Sequence, residues 1–156
     1  MNTNNDAAGK FPGLKLTVSR IINAPCEMLF RAWTEPEQLS QWFSPQDAEC
    51  RQVSADVRVG GAFRIHMVSK TGDHVAIGKY TEIVPNKRLK FTWQWESYAM
   101  PNSVVTVDFE DLGAKTLLIL KHAGLPDQED LDQHSHGWNS LVEKFGKLME
   151  QEKITA

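Results

Sequence analysis

Apolar and polar positions alternate with a period of two along most of the chain and switch to helical spacing at two points. Leu14 to Ile22 reads LKLTVSRII, apolar and polar in turn, the pattern of a half-buried strand. Asn23-Ala24-Pro25 breaks that period. Asn23 or Ala24 suits an N-cap, and Pro25 has its φ preset for a first helical turn. Leu29, Phe30, Ala32 and Trp33 give this short helix an apolar face. Thr34-Glu35-Pro36 interrupts it, and Pro36 suits the first position of a second short helix ending near Trp42-Phe43.

The middle of the chain reads as strand. A broken alternation over 48–59 ends at Gly60-Gly61, a turn, after which Phe63, Ile65 and Met67 alternate with Arg64, His66 and Val68. Thr71-Gly72-Asp73 makes a hairpin turn into a strand from His74 to Val84, and Pro85-Asn86-Lys87 makes the next turn. In LKFTWQWE, Leu89, Phe91, Trp93 and Trp95 fall on one face of a single strand. Val105, Val107 and Phe109 line the next, and Leu118 and Leu120 face inward on the last. Ala76, Gly78, Tyr80 and Glu82 share a face if their strand is regular and part company if it carries a bulge, so Tyr80 and Glu82 stay open at this point. Beyond Gly124-Leu125-Pro126 the period becomes 3.6. Leu131, His134 or Ser135, Trp138, Leu141, Val142, Phe145, Leu148 and Met149 draw one stripe along a helix over 127–152, about 39 Å long. Acidic residues sit in its first turns and lysines toward its end, which complements the helix dipole.

The order predicts an α+β fold. Two short helices follow strand 1, and a curved antiparallel sheet of six or seven strands wraps around the long C-terminal helix. The sheet needs one apolar face covered, and the only long apolar stripe available is on that helix. Residues 1–13, MNTNNDAAGKFPG, read as a flexible tail, and 14–153 as a single domain.

Composition narrows the function. The chain has 156 residues, 24% of them charged, and a formal net charge of −3, which argues against a disordered polyelectrolyte or a basic nucleic-acid binder. No run approaches the roughly 20 apolar residues of a membrane span, and the start lacks the apolar core of a signal peptide. Two cysteines, Cys26 and Cys50, make no disulfide framework, so the cytoplasm is the expected compartment.

The segments NAPCEMLFRAWTEPEQLSQWF, DVRVGGAFRIHM, GKYTEIVPNKRLKFTWQW and HAGLPD with HSHGWNSLVEKFGKLME follow one another in order. Together they resemble one branch of the START-like (SRPBCC) superfamily, that of the C-terminal domain of the activator of the ninety-kilodalton heat-shock protein's ATPase. The resemblance runs from about Leu14 to Met149 and implies a helix-grip fold around a hydrophobic pocket. Superfamily members include ligand carriers, polyketide cyclases and aromatases, and a co-chaperone module. The eukaryotic activator also has an N-terminal domain that contacts the chaperone. Nothing in this sequence supplies one, so a chaperone partner is not expected.

Parity and stripe send Trp42, Phe63, Met67, Trp93, Trp95, Val105, Leu120 and Trp138 to the interior, as pocket walls or as solid core. His122 continues the inward parity of Leu118 and Leu120, and His134 lies on the helix stripe. Either could bond a polar end of a ligand, or the two could act as an acid–base pair. Tyr80, if inward, adds a hydroxyl. His134-Ser135-His136 lacks the i,i+4 spacing of a zinc pair, and no nucleotide loop, Ser-His-Asp set or paired carboxylates stand out, so no metal or cofactor is expected. Leu117 and Ile119, apolar on the outward face near Leu112, suggest a homodimer contact. The leading expectation is non-enzymatic binding of a small hydrophobic molecule. The alternatives are an enzyme of the cyclase, aromatase or hydrolase kind using pocket His or Tyr, and a stress-response or chaperone-associated interaction module.

Overall fold

The computed structural model describes residues 13–155, with side chains described to residue 152. The expected flexible tail therefore lies, except for Gly13, outside the described residues.

Strand β1 (Leu14–Ile22) buries Leu16, Val18 and Ile22 between exposed neighbours, as its alternation requires. Helix α1 (Cys26–Thr34) starts later than expected. Pro25 is its N-cap in extended conformation (φ −76°, ψ 152°), and the Pro25 carbonyl accepts from the N–H groups of Met28 and Leu29. Asn23 lies two residues ahead of this cap, and its backbone N–H donates to Glu150 Oε2 (2.8 Å) on the C-terminal helix. Glu35 closes α1 and opens α2 (Pro36–Trp42), with Pro36 in the first turn.

The remaining strands are β2 (Ala48–Ala55), β3 (Ala62–Ser69), β4 (Gly72–Val84), β5 (Arg88–Thr92), β6 (Gln94–Trp95), β7 (Val104–Asp111) and β8 (Thr116–Leu125). They form one antiparallel sheet in the order β1-β8-β7-β5-β4-β3-β2, with β6 beside β4. The strand count of six or seven thus becomes eight, because LKFTWQWE is broken at Trp93. The Trp93 N–H donates to the carbonyl of Ser103, outside the ladder, and Thr92 Oγ1 accepts the Lys79 N–H (2.9 Å). A Cβ on Gly78 would lie 2.0 Å from the Thr92 carbonyl oxygen, so only glycine admits this approach.

A register shift between Tyr80 and Glu82 decides the question that parity left open. With Thr81 bulged, Tyr80 is buried, Ile83 opposite Leu89 packs on the core, and Glu82 turns out to meet Arg88 (3.7 Å). On the outward face Leu117 and Ile119 are half-buried, and Ile21, across from Leu117, is 56% exposed.

Helix α3 (Gln128–Thr155) is capped by Asp127, whose Oδ1 accepts the Asp130 N–H (2.9 Å). It lies over the sheet along β1 and buries Trp138, Leu141, Val142, Phe145 and Met149. Each such side chain contributes about 1.5–3 kcal/mol by leaving water. Helix α1 packs on α2 and β7, and α2 on β2, so the three helices cover the inner face except beneath the first half of α3.

Candidate ligand-binding cavity

Beneath the first half of α3 the inner face is open. A cavity of about 430 Å³ lies between Gln133–Leu141 of α3, the β3–β4 hairpin, the segment 93–98 and the loop after α2. Space of that size holds one small molecule. Phe43, Met67, Trp93, Trp95, Trp138 and Leu141 supply apolar walls. Ser69, Thr71, Asp73, His74, Ser97, Tyr98, Gln133, His136 and Asp47 add polar groups. Gly137 completes the helix wall, and a Cβ there would meet nothing nearer than Pro45 Cγ at 4.0 Å.

Of the residues expected at a pocket, Met67, Trp93, Trp95, His134 and Trp138 border this cavity. The others lie off it. Phe63 and Tyr80 border a separate void of about 10 Å³, which holds at most one water. Burial pushes the Tyr80 hydroxyl up to about 12, so it stays protonated near neutral pH. Trp42 is solid core: its Nε1–H donates to the Ala32 carbonyl (3.1 Å), and its ring lies 4.4 Å from that of Phe145. Val105 and Leu120 are fully buried in the sheet layer. His122 is fully buried behind Trp138. Parity assigned these side chains to the correct face, but a face does not say which part of it the helix seals.

The two inward histidines have fixed roles. Trp138 Nε1–H donates to His122 Nδ1 (2.9 Å), so the His122 proton resides on Nε2 and points to Ser103 Oγ at 2.6 Å. Trp95 Nε1–H donates to His134 Nε2 (2.9 Å), so the His134 proton is on Nδ1 and is given to the Asp130 carbonyl (2.7 Å). The rings meet edge to face with centroids 5.0 Å apart. Indole N–H can only donate, so protonating either acceptor nitrogen breaks its bond. Burial, with His134 nearby, holds His122 down to about 3, and burial lowers His134 as well. Both imidazoles are therefore neutral acceptors near neutral pH.

The mouth is polar and acidic. Tyr98 donates its hydroxyl to Asp130 Oδ1 (2.6 Å). Burial raises the pKa of that hydroxyl, and Asp130, Asp127 and Glu129 raise it further. His74 Nε2 lies 2.8 Å from Ser69 Oγ and 3.2 Å from Thr71 Oγ1. The bond to His66 Nε2 (2.9 Å) holds Asp73 below the usual carboxylate range. Neither lysine nor arginine is among the lining residues. Near the cavity but not on its wall, Lys144 Nζ donates to the buried Ser44 Oγ (2.8 Å), which donates to the Ala48 carbonyl. That serine is already committed as a donor and has no exposure, so it is no nucleophile.

Asp73 and His74 lie at a hairpin turn and Tyr98 in the segment after β6, places where periodicity assigns a side chain to neither face. The helix carries two glycines, Gly137 and Gly146, each costing about 1 kcal/mol relative to alanine, and sequence alone does not tell the one at the cavity from the one in the packed layer. Among the described residues, no group of three His, Cys, Asp or Glu side chains is placed to hold a metal ion, and no helix is long and apolar enough to cross a membrane.

An open antiparallel sheet gripped by a long C-terminal helix, with two short helices after the first strand, is the helix-grip fold of the START/SRPBCC class. The family model "Activator of Hsp90 ATPase homolog 1-like protein" matches residues 23–150, and the chain belongs to that family. A protein of Chromobacterium violaceum is similar at 26% identity and TM-score 0.79, over 87% of this chain and 96% of that one. An AHSA1 protein of Silicibacter pomeroyi is similar at 28% identity and TM-score 0.79, over 89% and 99%. A protein of Nitrosomonas europaea follows at 26% identity and TM-score 0.75, over 90% and 97%. No curated protein matches.

Proposed function

We propose that the protein binds one small hydrophobic molecule in the cavity under the first half of α3, and does so without chemistry. The observation that carries this reading is the cavity wall at Gly137. The helix carries its least favourable residue short of proline on the cavity wall, at a position where an added Cβ would meet nothing nearer than Pro45 Cγ at 4.0 Å. The reading is further supported by the fold class, which often binds hydrophobic ligands. The state of the histidines favours binding over acid–base catalysis. His122 and His134 are each committed to an indole N–H, and Tyr80 lies off the cavity.

The test is a filled cavity. Phenylnaphthylamine, an uncharged fluorophore, should bind wild type saturably at one site per chain. Gly137→Phe should weaken that binding by about tenfold or more, equivalent to about 1.4 kcal/mol, without lowering Tm. Undiminished binding by Gly137→Phe, or no saturable binding by wild type, would remove the proposal.

A further inference from the structure

The charge around the cavity mouth selects among hydrophobic ligands. We infer that the cavity takes a hydrophobic cation, an amine or quaternary ammonium carried on an aromatic or alkyl body, and excludes carboxylates of the same shape. This rests on the binding reading above and adds the sign of the ligand's charge.

Three observations converge. The lining holds two carboxylates, Asp47 and Asp73, and no lysine or arginine that could neutralise an anionic headgroup. A buried or half-buried anion left without a cation would shed its hydration at a cost of several kcal/mol. The rim carries further negative charge at Tyr98. Asp130 receives the Tyr98 hydroxyl, and Asp127 and Glu129 act on the same hydroxyl, so the start of α3 is acidic where it meets the lining. Asp73 is paired to the His66 ring at 2.9 Å, and Arg51, a fixed cation that also acts on it, is itself engaged by Glu49 at 3.2 Å. Finally, the walls are aromatic. Trp93, Trp95, Trp138, Phe43 and Tyr98 border the space, and the negative face of an aromatic ring attracts an ammonium or quaternary ammonium group. Two carboxylates at the mouth and an aromatic interior together suit a greasy cation, whose apolar part sits against the indoles with its charge toward Asp47 and Asp73.

A matched trio of probes tests this: naphthylmethylamine as the cation, ethylnaphthalene as the uncharged form and naphthylacetate as the anion. Each is titrated into wild type and into Asp47→Asn/Asp73→Asn at neutral pH and low salt, followed by the indole N–H resonances of Trp95 and Trp138. The ammonium should bind about tenfold or more tightly than the carboxylate in wild type. In the double variant, whose exchanged side chains are both exposed, that ratio should shrink to about threefold or less. A carboxylate that binds as well as the ammonium, or a ratio that survives the double substitution, overturns the inference while ethylnaphthalene binding leaves the cavity reading intact. Failure of all three probes to bind overturns both.

Discussion

The two halves of α3 cover the same sheet with the same helical stripe, yet one half is sealed and the other is hollow. In the C-terminal half, Phe145 and Met149 are buried, the Phe145 ring lies tilted against that of Trp42, and no helix residue beyond Leu141 borders the cavity. In the N-terminal half, Trp138 and His134 are nearly as buried, but about 430 Å³ stays open beside them. Each half has a glycine, and the two have opposite surroundings. At Gly146 an added Cβ would lie 2.6 Å from Arg20 Nε and 3.0 Å from its Cδ, because the arginine stem of β1 crosses the helix there. At Gly137 the same atom would meet only Pro45 Cγ at 4.0 Å, an ordinary van der Waals contact. Hydrophobic patterning therefore fixes which face is inside, and the bulk on the opposite wall decides whether the inside is full.

The largest effect should come from forcing bulk into the sealed half. Gly146→Leu pushes Arg20 and Ile22 aside in a packed layer and should lower unfolding free energy by about 3 kcal/mol, measured by urea denaturation. A variant as stable as wild type would show that Arg20 swings away freely and that the seal is looser than its contacts.

Acid should weaken the hollow half, where the histidines stand. Folding holds His122 at about 3, below the ordinary value near 6.5 of an unfolded chain, so the unfolded chain takes up the proton first. The sign follows: the stability is intact above about 6.5 and is lost as pH falls toward 3, by about 1.4 kcal/mol for each pH unit. His134 is shifted the same way and steepens the loss. Unfolding measured between pH 6.5 and 5 avoids the carboxylate range. His122→Asn should flatten the slope there, and an unchanged slope would place the titration elsewhere.

Most of the architecture was legible because it depends on local periodicity: period two for the strands, 3.6 for α3, proline and glycine at the joints. The misses have non-local causes. The break at Trp93 needs the Ser103 carbonyl and the close approach of Gly78, and the Asn23 backbone is held by Glu150 from the far end of the chain. The same division runs through the site. Trp93, Trp95 and Trp138 could be assigned inward from spacing alone. That Trp42 and Val105 are solid core while Asp73, His74 and Tyr98 reach the mouth follows from where α3 crosses the sheet, which no window of sequence contains.

The smallest effect sharpens the contrast most, because its sign is opposite. Gly137→Ala adds one methyl group at ordinary contact distance from Pro45 and replaces the flexible glycine backbone with alanine's in a helix interior, so it should raise stability by about 0.5–1 kcal/mol. That methyl takes little of a cavity of about 430 Å³, so phenylnaphthylamine affinity should change by less than about twofold, in contrast to the loss expected from Gly137→Phe. Urea denaturation and fluorescence titration of the same protein sample give both numbers. Destabilisation instead would mean that Gly137 is needed for packing as Gly146 is, and that the open half is closed in solution by movement of the loop around Pro45. A gain in stability with binding retained would show that the glycine is thermodynamically wasteful in the free protein, as expected where room for a ligand matters more than helix strength.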